Sequence, residues 1–239
     1  MFERFKSKNS IPVDIHSHLV PGIDDGVSSW EESMMIIERL LQLGFKGCVT
    51  TPHIYNDVYP NNEDDILGHA SEGKKLITES GLDFSFHIAA EYYMDEIFLN
   101  KIKEGKKLLT IYEKYVLFET GFISRPLIFD EVVFELKARG YKPIIAHPER
   151  YRYVLEDNSI IKRWIDEGIF LQTSSLSLVG KYGRHPMIMA NSIVKSGYLN
   201  FLGSDIHRLS DIPLLEKAIK TKNYQKAQNL SLENYKLVP

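Results

Sequence analysis

Asp14-Ile15-His16-Ser17-His18-Leu19-Val20-Pro21-Gly22-Ile23-Asp24-Asp25-Gly26 is the stretch on which the reading of this chain turns. Ile11, Val13 and Ile15 alternate ahead of it in the period of a short strand. Two histidines one residue apart follow, then two aspartates and a glycine turn. Imidazoles at a strand end, with carboxylates close behind, suit a hard or borderline divalent metal. In open α/β sheets and barrels, chemistry of this kind gathers at the C-terminal ends of the strands.

Working outward, the unit repeats. A helix is expected over 27–44. Ser28 with Glu31 and Ser29 with Glu32 both fit a capping box, Met34, Ile37, Leu40 and Leu41 recur at helical spacing, and Gly44 ends it. Further strands are expected over 47–51, 84–90, 115–118, 142–146, 169–173 and 199–203. The helices between and after them are expected over 64–80, 95–106, 127–139, 158–168, 186–197 and 213–221. About seven strand–helix repeats argue for a parallel sheet covered by helices, closed into a barrel rather than split into two domains. The expected organisation is a leader at 1–10, one barrel domain over 11–222 and a polar tail over 223–239.

Composition narrows the class. Hydrophobic residues make up 44% of the 239, enough for a full core without staples. The single cysteine, Cys48, excludes an intramolecular disulfide and fits a reducing, cytoplasmic setting. A net charge of -3 gives no basic footprint for nucleic acid. No apolar run is long enough for membrane insertion, and 1–10 lacks the apolar segment of a secretion signal. Oligomeric state is not legible.

The expected strand ends carry His16 and His18, His53, Glu91, Glu119, His147, Ser174, and Asp205 with His207. Every end but that of Ser174 bears a metal-type ligand. With Asp25 the candidates outnumber what one ion can use, and two or three ions sharing a bridging carboxylate would account for them. Imidazole and carboxylate without thiolate suit Mn²⁺, Fe or Zn²⁺ better than Mg²⁺. Asp24 competes with Asp25 for the ligand role, and Asp14 reads as orienting a ligand or capping the turn. Arg150, three residues after His147, can reach the same pocket and meet a phosphate with two parallel hydrogen bonds.

Other residues read more plainly. Cys48 lies in an apolar strand without a Cys-x5-Arg loop, so it is a small buried hydrophobe and not a nucleophile. His69 is expected in solvent. His87 shares strand parity with Glu91 and reads as a hydrogen-bonded core histidine. Arg125, Arg184 and His185 read as surface or pocket rim. Tyr55, Tyr59, Tyr92 and Tyr93 follow strand ends, where they either flank an aromatic substrate or pack.

Taken together, Asp-Ile-His-Ser-His at 14–18, Pro52-His53, Glu91, Glu119, His147-Pro148-Glu149-Arg150 and Ser204-Asp205-Ile206-His207 resemble the polymerase-and-histidinol-phosphatase (PHP) superfamily. Within it, His16-Ser17-His18 followed by Asp24-Asp25-Gly26, Phe118-Glu119-Thr120 and the 147–150 run resemble the bacterial protein-tyrosine phosphatases of the CpsB/YwqE type. The resemblance implies a distorted (β/α)7 barrel with three divalent ions, Mn²⁺ being the usual supposition and Fe, Zn²⁺ or Mg²⁺ the alternatives. It places His16, His18, Glu91 and Asp205 on one ion. Glu91 bridges to a second, completed by Glu119 and His147, and Asp25, His53 and His207 hold the third. It also places a phosphate-binding arginine at Arg150. The family often has another arginine several residues past the last Asp-x-His, whereas Arg208 follows His207 directly.

The implied activity is hydrolysis of phosphotyrosine by a metal-activated hydroxide. Arg150 binds the phosphoryl group, and His207 or a metal-bound water gives a proton to the leaving oxygen. The implied partner is a phosphotyrosine protein, an autophosphorylating bacterial tyrosine kinase of capsule or exopolysaccharide export. The competing functions are a small-molecule phosphatase such as one for histidinol phosphate and, in another class, a catalytically silent metal-binding regulator.

Overall fold

Short, buried, parallel strands carry the site at their ends. A computed structural model describes residues 11–112 and 114–237, and the expected leader at 1–10 lies outside them. The strands are β1 (Val13–Asp14), β2 (Gly47–Thr50), β3 (His53–Ile54), β4 (Ser85–Ile88), β5 (Glu91–Tyr93), β6 (Tyr115–Glu119), β7 (Lys142–Ala146), β8 (Phe170–Ser174) and β9 (Phe201–Gly203). β2 and β6 are buried at every position, as parallel strands covered on both faces must be.

Every strand pair is parallel. One sheet runs β1-β2-β4 and the other β3-β5-β6-β7-β8-β9. β3 continues β2 past Thr51-Pro52, and β5 continues β4 past Ala89-Ala90, so the two sheets join through two broken strands. The barrel closes between its last and first strands, where Asp205 N donates to His16 O at 2.7 Å and His18 N to Ile206 O at 2.9 Å. The result is the expected seven-fold barrel with breaks the sequence did not announce. The strands expected over 47–51 and 84–90 do not finish there, and His53 and Glu91 open the continuing segments as direct register partners.

The helices are α1 (Trp30–Gln42), α2 (Glu63–Ser80), α3 (Glu96–Lys103), α4 (Phe129–Ala138), α5 (Arg152–Glu156), α6 (Ser159–Asp166), α7 (Arg184–Ser196), α8 (Ile212–Ile219) and α9 (Lys222–Gln228). Of the two capping boxes read for α1, Ser29 is the cap, accepting from Glu32 N, while the Glu32 carboxylate reaches back to Ser28 N at 3.1 Å. α5 was not expected. It follows the tight 3-10 turn Pro148–Arg150. Val13, Ile15, Val49, Leu117, Ile144, Ala146 and Phe201 form one buried cluster drawn from strands all round the barrel, and so fill its lumen. A second layer, including Phe118, Ile145, Leu171, Phe129, Trp164 and Ile193, packs strands against helices.

Residues 223–237, within the stretch read as a polar tail, belong to the folded body. Tyr224, Leu232 and Leu237 are buried, and Asn234 accepts from Leu202 N and donates to Val13 O and Leu202 O at 2.8–3.0 Å. Their apolar spacing is too sparse to show as a helix pattern, yet these side chains are buried in the core.

Candidate metal centre

At the C-terminal mouth, polar side chains at the strand ends, at the two strand breaks and just past the strands come together. His147 and Asp205, just past β7 and β9, take left-handed backbone with φ of 32° and 59°. Such angles cost non-glycine residues energy and persist where the surroundings impose them. Gly203 permits close approach here, since a Cβ on it would lie 2.6 Å from His16 Cβ and 2.8 Å from Gln172 Nε2.

All nine expected ligands converge. His16 Nε2 lies 3.2 Å from Glu91 Oε2, 3.4 Å from Asp205 Oδ1 and 3.3 Å from His18 Nε2. His147 Nε2 is 3.0 Å from Glu91 Oε1 and 3.8 Å from Glu119 Oε2. His53 Nδ1 stands 3.2 Å from Glu91 and 3.3 Å from Glu119, and its Nε2 is 3.5 Å from Asp25 Oδ1. His207 Nε2 is also 3.5 Å from Asp25 Oδ1. Three groups are compact enough to surround an ion: His18, Asp25, His53 and His207; His16, His18 and Glu91; His53, Glu91 and Glu119. Glu91 sits in two of them, as a bridging carboxylate would. The side chains differ from the expected sharing in that His18 also joins the Asp25 group and His53 also joins Glu91 and Glu119.

Two partners fix the imidazoles. Gln172 Oε1 pairs with His16 Nδ1 at 2.9 Å and accepts from His147 N at 3.1 Å. Asp24 Oδ2 pairs with His18 Nδ1 at 2.8 Å. Each leaves Nε2 for the centre, the usual task of an outer partner of a metal-ligating histidine. Asp24 thus orients while Asp25 faces the cluster, and Asp14 caps the turn after β9 by accepting from Ser204 N at 2.7 Å. Gln172 went unmarked in the sequence, although a glutamine inside the run Phe170–Ser174 is a visible polar break. Ser174, the expected strand end without a ligand, is structural: its N–H donates to Glu149 Oε1 at 2.9 Å.

The electrostatics call for cations. Burial and the adjacent Glu91 carboxylate push Glu119 well above the usual carboxylate range. Burial opposes ionisation of Glu91 too, but His16, His53 and His147 around it hold it well below that range. Burial, with Arg150 close by, brings His147 down to about 4, and burial brings His53 to about 4. Both are then neutral near pH 7, the form that binds metal. His53 Nδ1 and His147 Nδ1 are buried without a hydrogen-bond partner. Donor atoms about 2.0–2.2 Å from a shared ion stand roughly 3.0–3.5 Å apart, so most of these contacts have the spacing of a coordination shell. The residues fit divalent metal.

Arg150 lines the same mouth. Its guanidinium donates to Asp205 Oδ2 at 3.0 Å and lies 4.1 Å from the Tyr182 ring and 4.8 Å from that of Phe122. Tyr59 stacks on His53, with ring centres 5.3 Å apart, and Tyr55 stacks on Tyr93 at 3.8 Å. Tyr92 instead packs in the core and donates to Glu63. His69, His185, Arg184 and Arg208 are exposed, and Arg125 pairs with Asp130. His87 corrects its expectation. It shares the parity of Glu91 but is exposed on β4, its ring 5.5 Å from that of Tyr112. Cys48 is fully buried, and burial raises its thiol well above the ordinary range.

A family model described as capsular polysaccharide synthesis, CpsB/CapC, matches residues 12–236. The tyrosine-protein phosphatase YwqE of Bacillus subtilis (strain 168) is 28% identical over 223 residues, covering 91% of this chain and 82% of that protein. The tyrosine-protein phosphatase CpsB of Streptococcus pneumoniae is 27% identical over 233 residues, covering 93% and 96%. A crystal structure from work on YwqE and CpsB, described there as metal-dependent tyrosine phosphatases, superposes with a TM-score of 0.77 at 24% identity. It covers 92% of this chain and 96% of that one.

Proposed function

Because the chain belongs to the CpsB/CapC family of capsular polysaccharide synthesis, we propose that it is a metal-dependent protein-tyrosine phosphatase. The observation that carries this is the convergence of nine imidazole and carboxylate ligands with Arg150 on one barrel mouth. We assign His16, His18, Asp25, His53, Glu91, Glu119, His147, Asp205 and His207 to hold three divalent ions, with Mn²⁺ the first candidate. Bound there, the ions supply positive charge for the phosphoryl oxygens and a nucleophile at neutral pH.

The chain's own residues do the rest. Arg150 trades its bond to Asp205 for the phosphoryl oxygens, two of which a guanidinium can hold at once. Gln172 and Asp24 keep the His16 and His18 Nε2 atoms on the centre. Tyr59 and Phe122 stand where they can flank the substrate ring. A phenol leaves with a pKa of about 10, so it needs less acid help than an alkyl alcohol. Both His207 nitrogens face carboxyl or carbonyl oxygens, Nε2 toward Asp25 and Nδ1 toward Asp205, which favours a ligand role over proton donation. The substrate class is phosphotyrosine protein, and the partner we propose is a tyrosine kinase of capsule or exopolysaccharide export in the cytoplasm. Among the described residues no helix is long and apolar enough to cross a membrane.

The test is phosphate release with Mn²⁺ present from a phosphotyrosine peptide and from histidinol phosphate. Preference for the peptide is expected. Preference for histidinol phosphate would move the protein to small-molecule metabolism, and turnover of neither with metal bound would make it a regulator. Arg150→Ala should lower kcat/KM by about 100-fold with metal content unchanged.

A further inference from the structure

Tyr182 is the residue on the mouth that the ligand set and the phosphate-binding arginine leave unused. It lies between the 3-10 turn Ser177–Val179 and α7, in a loop bent by Gly180 and Gly183 at φ of 89° and 100°. The loop is pinned: Gly183 N donates to Gly180 O at 3.1 Å, and Lys181 Nζ pairs with Asp211 Oδ1 at 2.8 Å. From this base the Tyr182 ring lies under the Arg150 guanidinium, 4.1 Å from its centre, and the hydroxyl donates to Asp205 Oδ2 at 2.7 Å.

That oxygen is the one Arg150 itself bonds, at 3.0 Å, while the other Asp205 oxygen faces His16 and His207. Asp205 is buried. Its outer oxygen therefore has two partners, and only one of them is expected to leave. When Arg150 turns to a phosphate, a carboxylate oxygen without a second donor would be stranded out of water, which is costly for a charged group. The Tyr182 hydroxyl stays, and its ring keeps a face for the guanidinium to swing across.

Resting on the phosphatase reading above, we infer that Tyr182 is a positioning residue for phosphate capture: it holds Asp205 satisfied so that Arg150 is free to leave it for the phosphoryl oxygens. Tyr182→Phe keeps the ring and removes the hydroxyl, and Tyr182→Ala removes both.

The experiment is calorimetric titration of metal-loaded protein with inorganic phosphate, after metal content has been measured, for wild type, both variants, Arg150→Ala and Arg150→Ala/Tyr182→Phe. Tyr182→Phe should weaken phosphate binding about ten-fold, the scale of one hydrogen bond to a charged group, and Tyr182→Ala about a hundred-fold. In the Arg150→Ala background Tyr182→Phe should have no further effect, a coupling that a merely structural tyrosine would not show. Bound metal should stay constant. With a phosphotyrosine peptide, Tyr182→Phe should raise KM and leave kcat within about three-fold. Unchanged phosphate affinity in Tyr182→Phe, loss of metal from it, or the same effect with and without Arg150 would overturn the inference. Should Tyr182→Ala fold poorly, the Phe variant decides alone. Absence of phosphotyrosine turnover by the wild type would count against the phosphatase reading only, because the phosphate titration reads binding without it.

Discussion

Glu119 shows what this site costs the chain when it holds no ion. Folding buries it beside Glu91, and the folded protein therefore holds its proton more tightly than the unfolded chain does. For such a group the contribution to stability is full below the unfolded pKa and is lost as pH rises through the folded one. Metal-free protein should accordingly melt lower at about pH 8 than at about pH 5, and Glu119→Gln should remove part of that decline while abolishing metal-supported activity. Thermal melts of chelated protein at the two pH values check this, and an identical decline in the variant would speak against it. Cys48→Ser should keep activity in folded, metal-loaded protein, since the thiol is buried and raised out of its reactive range. At this scale the residues that converge on the mouth were legible, because histidine and carboxylate types at strand ends have few other uses. Gln172 and Tyr182 were not, because a single polar residue in a strand or loop carries no spacing signal. Nor were the left-handed angles of His147 and Asp205, which follow from the turns that the whole mouth imposes.

Strands and helices were legible where periodicity or caps mark them, as in α1, α2 with Gly81 at its end, and β6. The breaks after β2 and β4 escaped because a two-residue interruption between apolar runs looks like a strand end. Those breaks are what bring His53 opposite Glu91. β9 is equally tied to the site through Gly203. Gly203→Ala should displace His16 and lower both metal content and activity, since the added Cβ cannot fit without moving backbone. Gly140→Ala is the control. Gly140 has φ of 80° with open space around it, so alanine there should cost about 1 kcal/mol of stability and leave activity intact. Melting temperature and metal content measured on both variants separate the two effects.

The whole molecule is a closed barrel whose two ends are finished differently. At the mouth, main-chain bonds join β9 to β1. At the other end the side chain of Asn234 bridges Val13 and Leu202, so the turn Glu233–Leu237 staples the first strand. Asn234→Ala strands buried backbone groups and should cost about 2–4 kcal/mol, lowering the melting temperature by roughly 5–10 °C while the mouth keeps its chemistry. Calorimetric melting with an activity assay at low temperature tests it. The barrel itself was legible from the strand–helix repeats, but this closing stretch was not, since its four buried apolar residues are spread over fourteen positions from Tyr224 to Leu237. The central claim is that this mouth hydrolyses phosphotyrosine only with its ions in place. The most direct measurement is phosphate release from a phosphotyrosine peptide by chelated protein as Mn²⁺ is added back, with bound metal counted at each step. We expect no release without metal and activity that grows to a plateau at three ions per chain. Full release by chelated protein, or a loaded site that releases nothing, would contradict it.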